Sequence, residues 1–147
     1  MRSLIFGVAV LAGFAWPVWA GGVTPSNPDA VVYFANLEDG AVVGSPVTVV
    51  FGLRGMGVAP AGTEKDMTGH HHLLIDRPPL GEGEGGAAEL ANGLPSDENH
   101  MHFGGGQTEV TLELAPGTHT LQLVLGDLGH VPHATPIVSQ VITITVE

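Results

Sequence analysis

Apolar residues along this chain recur mostly with a period of two. Val47, Val49, Phe51 and Leu53 form one alternating set, and Val110, Leu112 and Leu114 a second. Leu121, Leu123 and Leu125 form a third, and Ile142, Ile144 and Val146 a fourth. Successive side chains of a strand point to opposite faces, so this pattern predicts half-buried strands rather than helices. Strands are expected over residues 30–35, 47–53, 70–76, 99–103, 107–114, 118–125 and 137–146. Turn residues punctuate them: Asp39-Gly40, Ser45-Pro46, Pro78-Pro79, Gly104-Gly105-Gly106, Pro116-Gly117 and Gly126-Asp127. About seven short strands at this spacing predict an all-β domain, an antiparallel β-sandwich of immunoglobulin-like type. Residues 80–97, rich in Gly, Glu, Ala and Asn, predict a mobile acidic loop with a helical turn near Ala87–Leu90.

The first twenty residues break this pattern. Met1-Arg2 is followed by an uncharged apolar run from Leu4 to Ala15, then by Pro17 and by Val18-Trp19-Ala20. A short basic start, an apolar stretch too short to span a bilayer and a small residue at the end read as an export signal cleaved after Ala20. The remaining residues, 21–147, suit one domain, placed in a periplasm, with no membrane insertion after cleavage. The 147-residue chain has no cysteine, so disulfides cannot staple it. It carries 15 acidic and 4 basic residues, a formal charge of −11. Loss of Arg2 leaves 15 acids against 3 bases, or −12. Such a surface disfavours nucleic acid and anionic lipid as partners and favours cations.

Against this background the histidines stand out. Seven of the eight fall in three short groups: His70-His71-His72, His100-Met101-His102 and His130-Val131-Pro132-His133. If strand direction alternates, the loops before the third strand, after the fourth and after the sixth share one pole. All three groups, with Met56 and Met67, then map to that pole. Along a strand, residues two apart share a face, so His70 and His72 point one way and His71 the other. His100 and His102 likewise share a face, with Met101 opposite. Were these two strands neighbours, their facing side chains would lie within reach of one ion.

Imidazole clusters suit copper or zinc, and thioethers bias a site towards copper(I). The expected ligands are His70, His72, His100 and His102, with His130, His133, His71, Met56 and Met67 as further candidates. Glu82, Glu84 and Glu89 could add oxygen ligands. The competing reading is a structural or interaction module of the cell envelope, whose histidines pin loops by hydrogen bonds to backbone and to carboxylates such as Asp76 or Glu98. His119, in Pro116-Gly117-Thr118-His119, suits such a structural role. A metal-assisted enzyme would need an open coordination position and a nearby acid or base, for which Asp97 and Glu98 are available. There is no nucleophile elbow, Cys–His pair or HExxH spacing, so a non-catalytic protein is expected.

Several segments occur in a recognisable order. They are Phe51-Gly52-Leu53, Gly55-Met56-Gly57-Val58-Ala59-Pro60-Ala61-Gly62, Thr68-Gly69-His70-His71-His72-Leu73-Leu74-Ile75-Asp76 and Asn99-His100-Met101-His102-Phe103-Gly104-Gly105-Gly106. Pro116-Gly117-Thr118-His119-Thr120-Leu121 and His130-Val131-Pro132-His133 follow. The series resembles the DUF4399 family of exported bacterial proteins, over nearly the whole of residues 21–147. The resemblance implies a small periplasmic, immunoglobulin-like domain, and it implies no particular activity.

Overall fold

The computed structural model describes residues 22–147, and the expected export signal lies outside them. The described residues are all-β apart from one short helical turn. Its elements are β1 (Val31–Phe34), β2 (Val42–Val43), β3 (Val47–Arg54), β4 (Gly57–Val58), β5 (Thr68–Ile75), α1 (Gly86–Glu89), β6 (His100–His102), β7 (Glu109–Leu112), β8 (Gly117–Gly126), β9 (Pro132–Val138) and β10 (Ile142–Val146). Among the described residues the strands number ten rather than about seven. The expected last strand is divided in two by a break at residues 139–141, and two residue pairs, β2 and β4, pair too briefly to leave a sequence pattern.

The strands form two sheets. One is three-stranded, in the order β1-β3-β7; the other runs β2-β10-β8-β5-β4, with β6 also paired to β5 and β9 to β8. The larger sheet is mixed: β2 runs parallel to β10 and β4 parallel to β5, whereas a wholly antiparallel arrangement was expected. Both parallel partners are only two residues long.

The alternating residues do what their period requires. Val47, Val49 and Phe51 from the small sheet meet Leu73, Leu121, Leu123, Leu125, Ile142, Ile144 and Val146 from the large one in a single buried core. Each such side chain taken from water contributes about 1.5–3 kcal/mol. The opposite face of the large sheet has its own apolar cluster, in which Leu74 and Val124 are covered by Leu80, Leu90 and Leu94. These three leucines belong to the loop expected to be mobile and acidic. Glu82, Glu84 and Asp97 are exposed, but Glu89 turns in to Arg77 and the leucines dock the loop on the sheet. The backbone amide of Leu80 also donates to the buried Gln122 side chain, 2.9 Å away. The outer face of the large sheet is therefore roofed, and the roof matters for what lies beneath it.

Candidate metal centre

Strand β5 lies between β8 on one side and β6 on the other, and the register sets every histidine. His72 is opposite His102 and Leu74 opposite His100 in β6; His70 is opposite Gly126 and His72 opposite Val124 in β8. Period-two alternation then sends His71, Leu73 and Ile75 into the core and turns His70, His72 and Leu74 to the roofed outer face. His71 packs beside Phe51, with ring centroids 5.2 Å apart. The triple histidine is thus two outward residues flanking one inward residue, as alternation predicts.

Five imidazoles gather on the outer face. His70 and His72 come from β5, His100 and His102 from β6, and His130 from the turn between β8 and β9. His70, His72 and His100 are wholly buried, while His102 and His130 are half-buried. The ring nitrogens are close. His70 Nε2 lies 3.0 Å from His72 Nε2 and 2.9 Å from His130 Nδ1. Two sets of three offer ligand atoms within 4.8 Å of one another: His70 with His72 and His130, and His72 with His100 and His102.

The hydrogen-bond inventory of this cluster does not close. A neutral ring nitrogen carries either one proton or one lone pair. His70 Nε2 faces two other ring nitrogens and can satisfy only one of them. Beyond this contact, His70 Nδ1, His72 Nδ1 and His100 Nε2 are buried with no protein partner. Each buried polar atom left without a partner costs about 1–3 kcal/mol. Burial holds His70 and His100 at a pKa of about 4, helped by repulsion from His130 at the first and from Arg77 at the second. His72 is pushed further down, by burial and then by the neighbouring imidazoles. His102 is lowered by burial, partly offset by its bond to the Pro95 carbonyl. At neutral pH these rings are therefore uncharged, with lone pairs available to a cation.

Residues around the cluster fix its rings. His102 Nε2 donates to the Pro95 carbonyl at 2.5 Å, which leaves its Nδ1 for the cluster. Arg77 donates to His100 Nδ1 at 3.1 Å and pairs with Glu89 of the roof. The Leu94 amide donates to the His130 carbonyl at 2.9 Å. His130 itself has φ 65°, in the left-handed region that a non-glycine residue enters at a cost of about 1–2 kcal/mol. Asp127 holds that turn. Its Oδ1 accepts the amides of Gly129 and Val131, and its Oδ2 accepts the Thr24 hydroxyl at 2.6 Å. Burial pushes this carboxyl up, but the bonds from Thr24, Val131 and Gly129 outweigh it and hold the group below its ordinary value.

Gly126 is the least obvious contributor. A Cβ at this position would lie 2.5 Å from His72 Nε2, so only glycine leaves room for the ring. The β8–β9 register also shifts between Leu125 and Gly126. Gly126→Ala should displace His72 with little change to the strand, weakening metal binding about 10–100-fold, as loss of a ligand-orienting neighbour does. Competition against a chelator of known affinity reads the change. An unchanged affinity would show that the His72 ring takes no part.

The remaining sequence candidates lie elsewhere. The inward His71 has both ring nitrogens buried and unpartnered; burial lowers it to about 4, and the Gln107 backbone, which approaches outside hydrogen-bond geometry, offsets only part of that. His133, expected to accompany His130, is instead turned between two carbonyls, 3.3 Å from Leu125 O and 3.4 Å from Thr68 O. It lies in a strand while His130 lies in the turn, so the two do not share a face. Met56 packs against the apolar core and Met67 is exposed at a left-handed residue beside β5. Glu82 and Glu84 are exposed, and Glu89 is engaged by Arg77. His119 behaves as a structural residue: its Nε2 meets Ala115 O at 2.8 Å and its Nδ1 meets Asp76 Oδ2 at 2.6 Å. With acceptors on both sides the ring is favoured as imidazolium, and its pKa is raised, first by Ala115 O and then by Asp76.

Because His71 belongs to the core rather than the cluster, His71→Phe tests the division of roles. The change replaces two unpartnered polar atoms by apolar ones beside Phe51. It should raise unfolding stability by about 1–2 kcal/mol and leave metal stoichiometry unchanged. Denaturant midpoints with a metal titration check both, and loss of bound metal would refute the division.

The fold and its outer-face imidazoles together define a small all-β domain with a histidine cluster able to hold a metal ion. The chain belongs to a family described as a domain of unknown function (DUF4399), whose profile matches residues 49–147. That span begins within β3 and contains every histidine of the cluster. No curated protein and no solved structure matches the chain.

Proposed function

We propose that this protein binds a transition-metal ion, copper or zinc, through the imidazoles of the outer-face cluster, and that it does so as an exported, periplasmic, non-catalytic protein. The single observation that carries the reading is the set of converging ring nitrogens that cannot satisfy one another. His70 Nε2 faces both His72 Nε2 and His130 Nδ1 within 3.0 Å. A cation accepting all three lone pairs resolves what proton placement cannot. Nitrogen ligands select copper or zinc over magnesium or calcium. The surplus of acids over bases in the whole chain adds a general attraction for cations.

The alternative, a histidine hydrogen-bond network that stabilises loops, is supported at different residues. His119 and His133 do face backbone and carboxylate acceptors. The two roles divide between the two groups of histidines. Two sheets closing on one core support an immunoglobulin-like sandwich as the architecture. Among the described residues no helix is long and apolar enough to cross a membrane.

Isothermal titration of untagged, chelator-stripped protein tests the proposal. Binding of copper or zinc tighter than the high-micromolar range is expected, and its absence for both metals would overturn the reading.

A further inference from the structure

The five imidazoles cannot all serve one ion. Two nitrogens bound to the same ion at about 2.0–2.1 Å lie at most about 4.2 Å apart. The ligand atoms nevertheless sort into two separate sets, each within 4.8 Å, and no fourth histidine joins either among the described residues. One residue, His72, belongs to both.

The free nitrogens divide in the same way. On one side, His70 Nε2, His72 Nε2 and His130 Nδ1 face one another. On the other, His102 Nε2 is taken by Pro95 O, so that ring offers Nδ1. His100 Nδ1 is taken by Arg77, so that ring offers Nε2, which is buried and unpartnered. The nitrogen of His72 not turned to His70, its Nδ1, is also buried and unpartnered. His72 is shared by the sets, with ring centroids 4.7 Å from His70 and 4.2 Å from His102, and the sets also meet where the His102 and His130 rings stack, 4.8 Å apart.

From this arrangement, and resting on the metal-binding reading above, we propose that the cluster is a two-ion site for Cu(II) or Zn(II), with the His72 imidazole bridging the ions. The first ion takes His70, His130 and His72 Nε2. The second takes His100, His102 and His72 Nδ1. When both are bound, His72 gives up its one N–H proton to solvent and bonds each ion through one nitrogen. At His100 the Nε2 proton moves to Nδ1, and the Arg77 guanidinium turns wholly to Glu89. Three anionic groups lessen the charge of two divalent ions: the His72 imidazolate, Asp127, which bears on His70, and Asp97, which bears on His100 and His102.

Copper titration with equilibrium dialysis and electron paramagnetic resonance tests this on untagged, metal-stripped protein. Two Cu(II) per chain are expected. The resonance intensity should grow over the first equivalent and fall over the second, because spins joined by an imidazolate couple. His130→Gln and His102→Gln each alter a half-buried residue of a different set, so each should fold. Each should hold one Cu(II) with full intensity. A wild type that holds only one ion, or two with additive intensity, overturns the bridged pair while metal binding stands. A chain that holds neither copper nor zinc overturns both.

Discussion

Saturating the metal-stripped protein with copper or zinc should raise its melting temperature by roughly 10 °C. A ligand that binds only the native state at a hundred times its dissociation constant adds about 2.7 kcal/mol. For a domain of this size each kcal/mol is worth about 3–5 °C. His72→Phe should abolish the gain, because His72 belongs to both sets of converging imidazoles. The same variant, without metal, should be no less stable than the wild type. Its ring removes one buried unpartnered nitrogen, and replacing such a group by an apolar one of similar shape is neutral or stabilising. Thermal unfolding of both proteins, with and without metal, separates the outcomes. A metal-free His72→Phe protein that is several kcal/mol weaker, beside a wild type indifferent to metal, would show that the cluster is structural.

The second large effect is acid lability of the metal-free protein. Burial holds His70, His71 and His100 at about 4, against an ordinary value of 6.5, and lowers His72 further. Between those values the unfolded chain binds more protons than the native one, so acid favours unfolding. Stability is therefore full above about pH 6.5 and is lost as the pH falls towards 4. Each group held at about 4 contributes about 3 kcal/mol at the acid end. Protons on neighbouring rings repel, so the contributions do not simply add. Even so, the total approaches the roughly 5–15 kcal/mol that stabilises a whole domain. His119 works in the opposite sense. Its raised pKa contributes stability below 6.5 that is lost only as the pH rises through the raised value. Urea midpoints at pH 7.5 and 4.5 should fall steeply, and bound metal should hold the higher midpoint further into acid. Equal midpoints would mean that the outer-face rings are open to water.

Much of this arrangement was legible from residue order. Alternation alone gave the inner faces of β3, β8 and β10, because each strand buries one face and the period is two. The same rule separated His71 from His70 and His72. Strand direction brought His70, His72, His100, His102 and His130 to one end. What escaped depends on features that leave no periodic trace. The parallel pairs β2–β10 and β4–β5 join strands of two residues, too short for any pattern. His130 and His133 looked alike in sequence, yet a left-handed turn at one and a strand at the other part them. Gly126 and Asp127 read as a turn, but Gly126 ends β8 and the turn follows Asp127. Their further roles, clearing space for His72 and holding the turn that presents His130, need atomic positions. Arg77 and the roof leucines were hidden in the same way, since docking of residues 80–97 depends on what Leu74 and Val124 expose.

Metal held by the outer-face imidazoles, and not by the acids or the methionines, has a distinct spectroscopic signature. X-ray absorption at the copper or zinc edge of the loaded, untagged protein tests it most directly. A nitrogen shell at about 2.0–2.1 Å is expected, with the outer-shell scattering of several imidazole rings. A first shell made of oxygen or sulfur, or one that persists unchanged in His72→Phe, would contradict it.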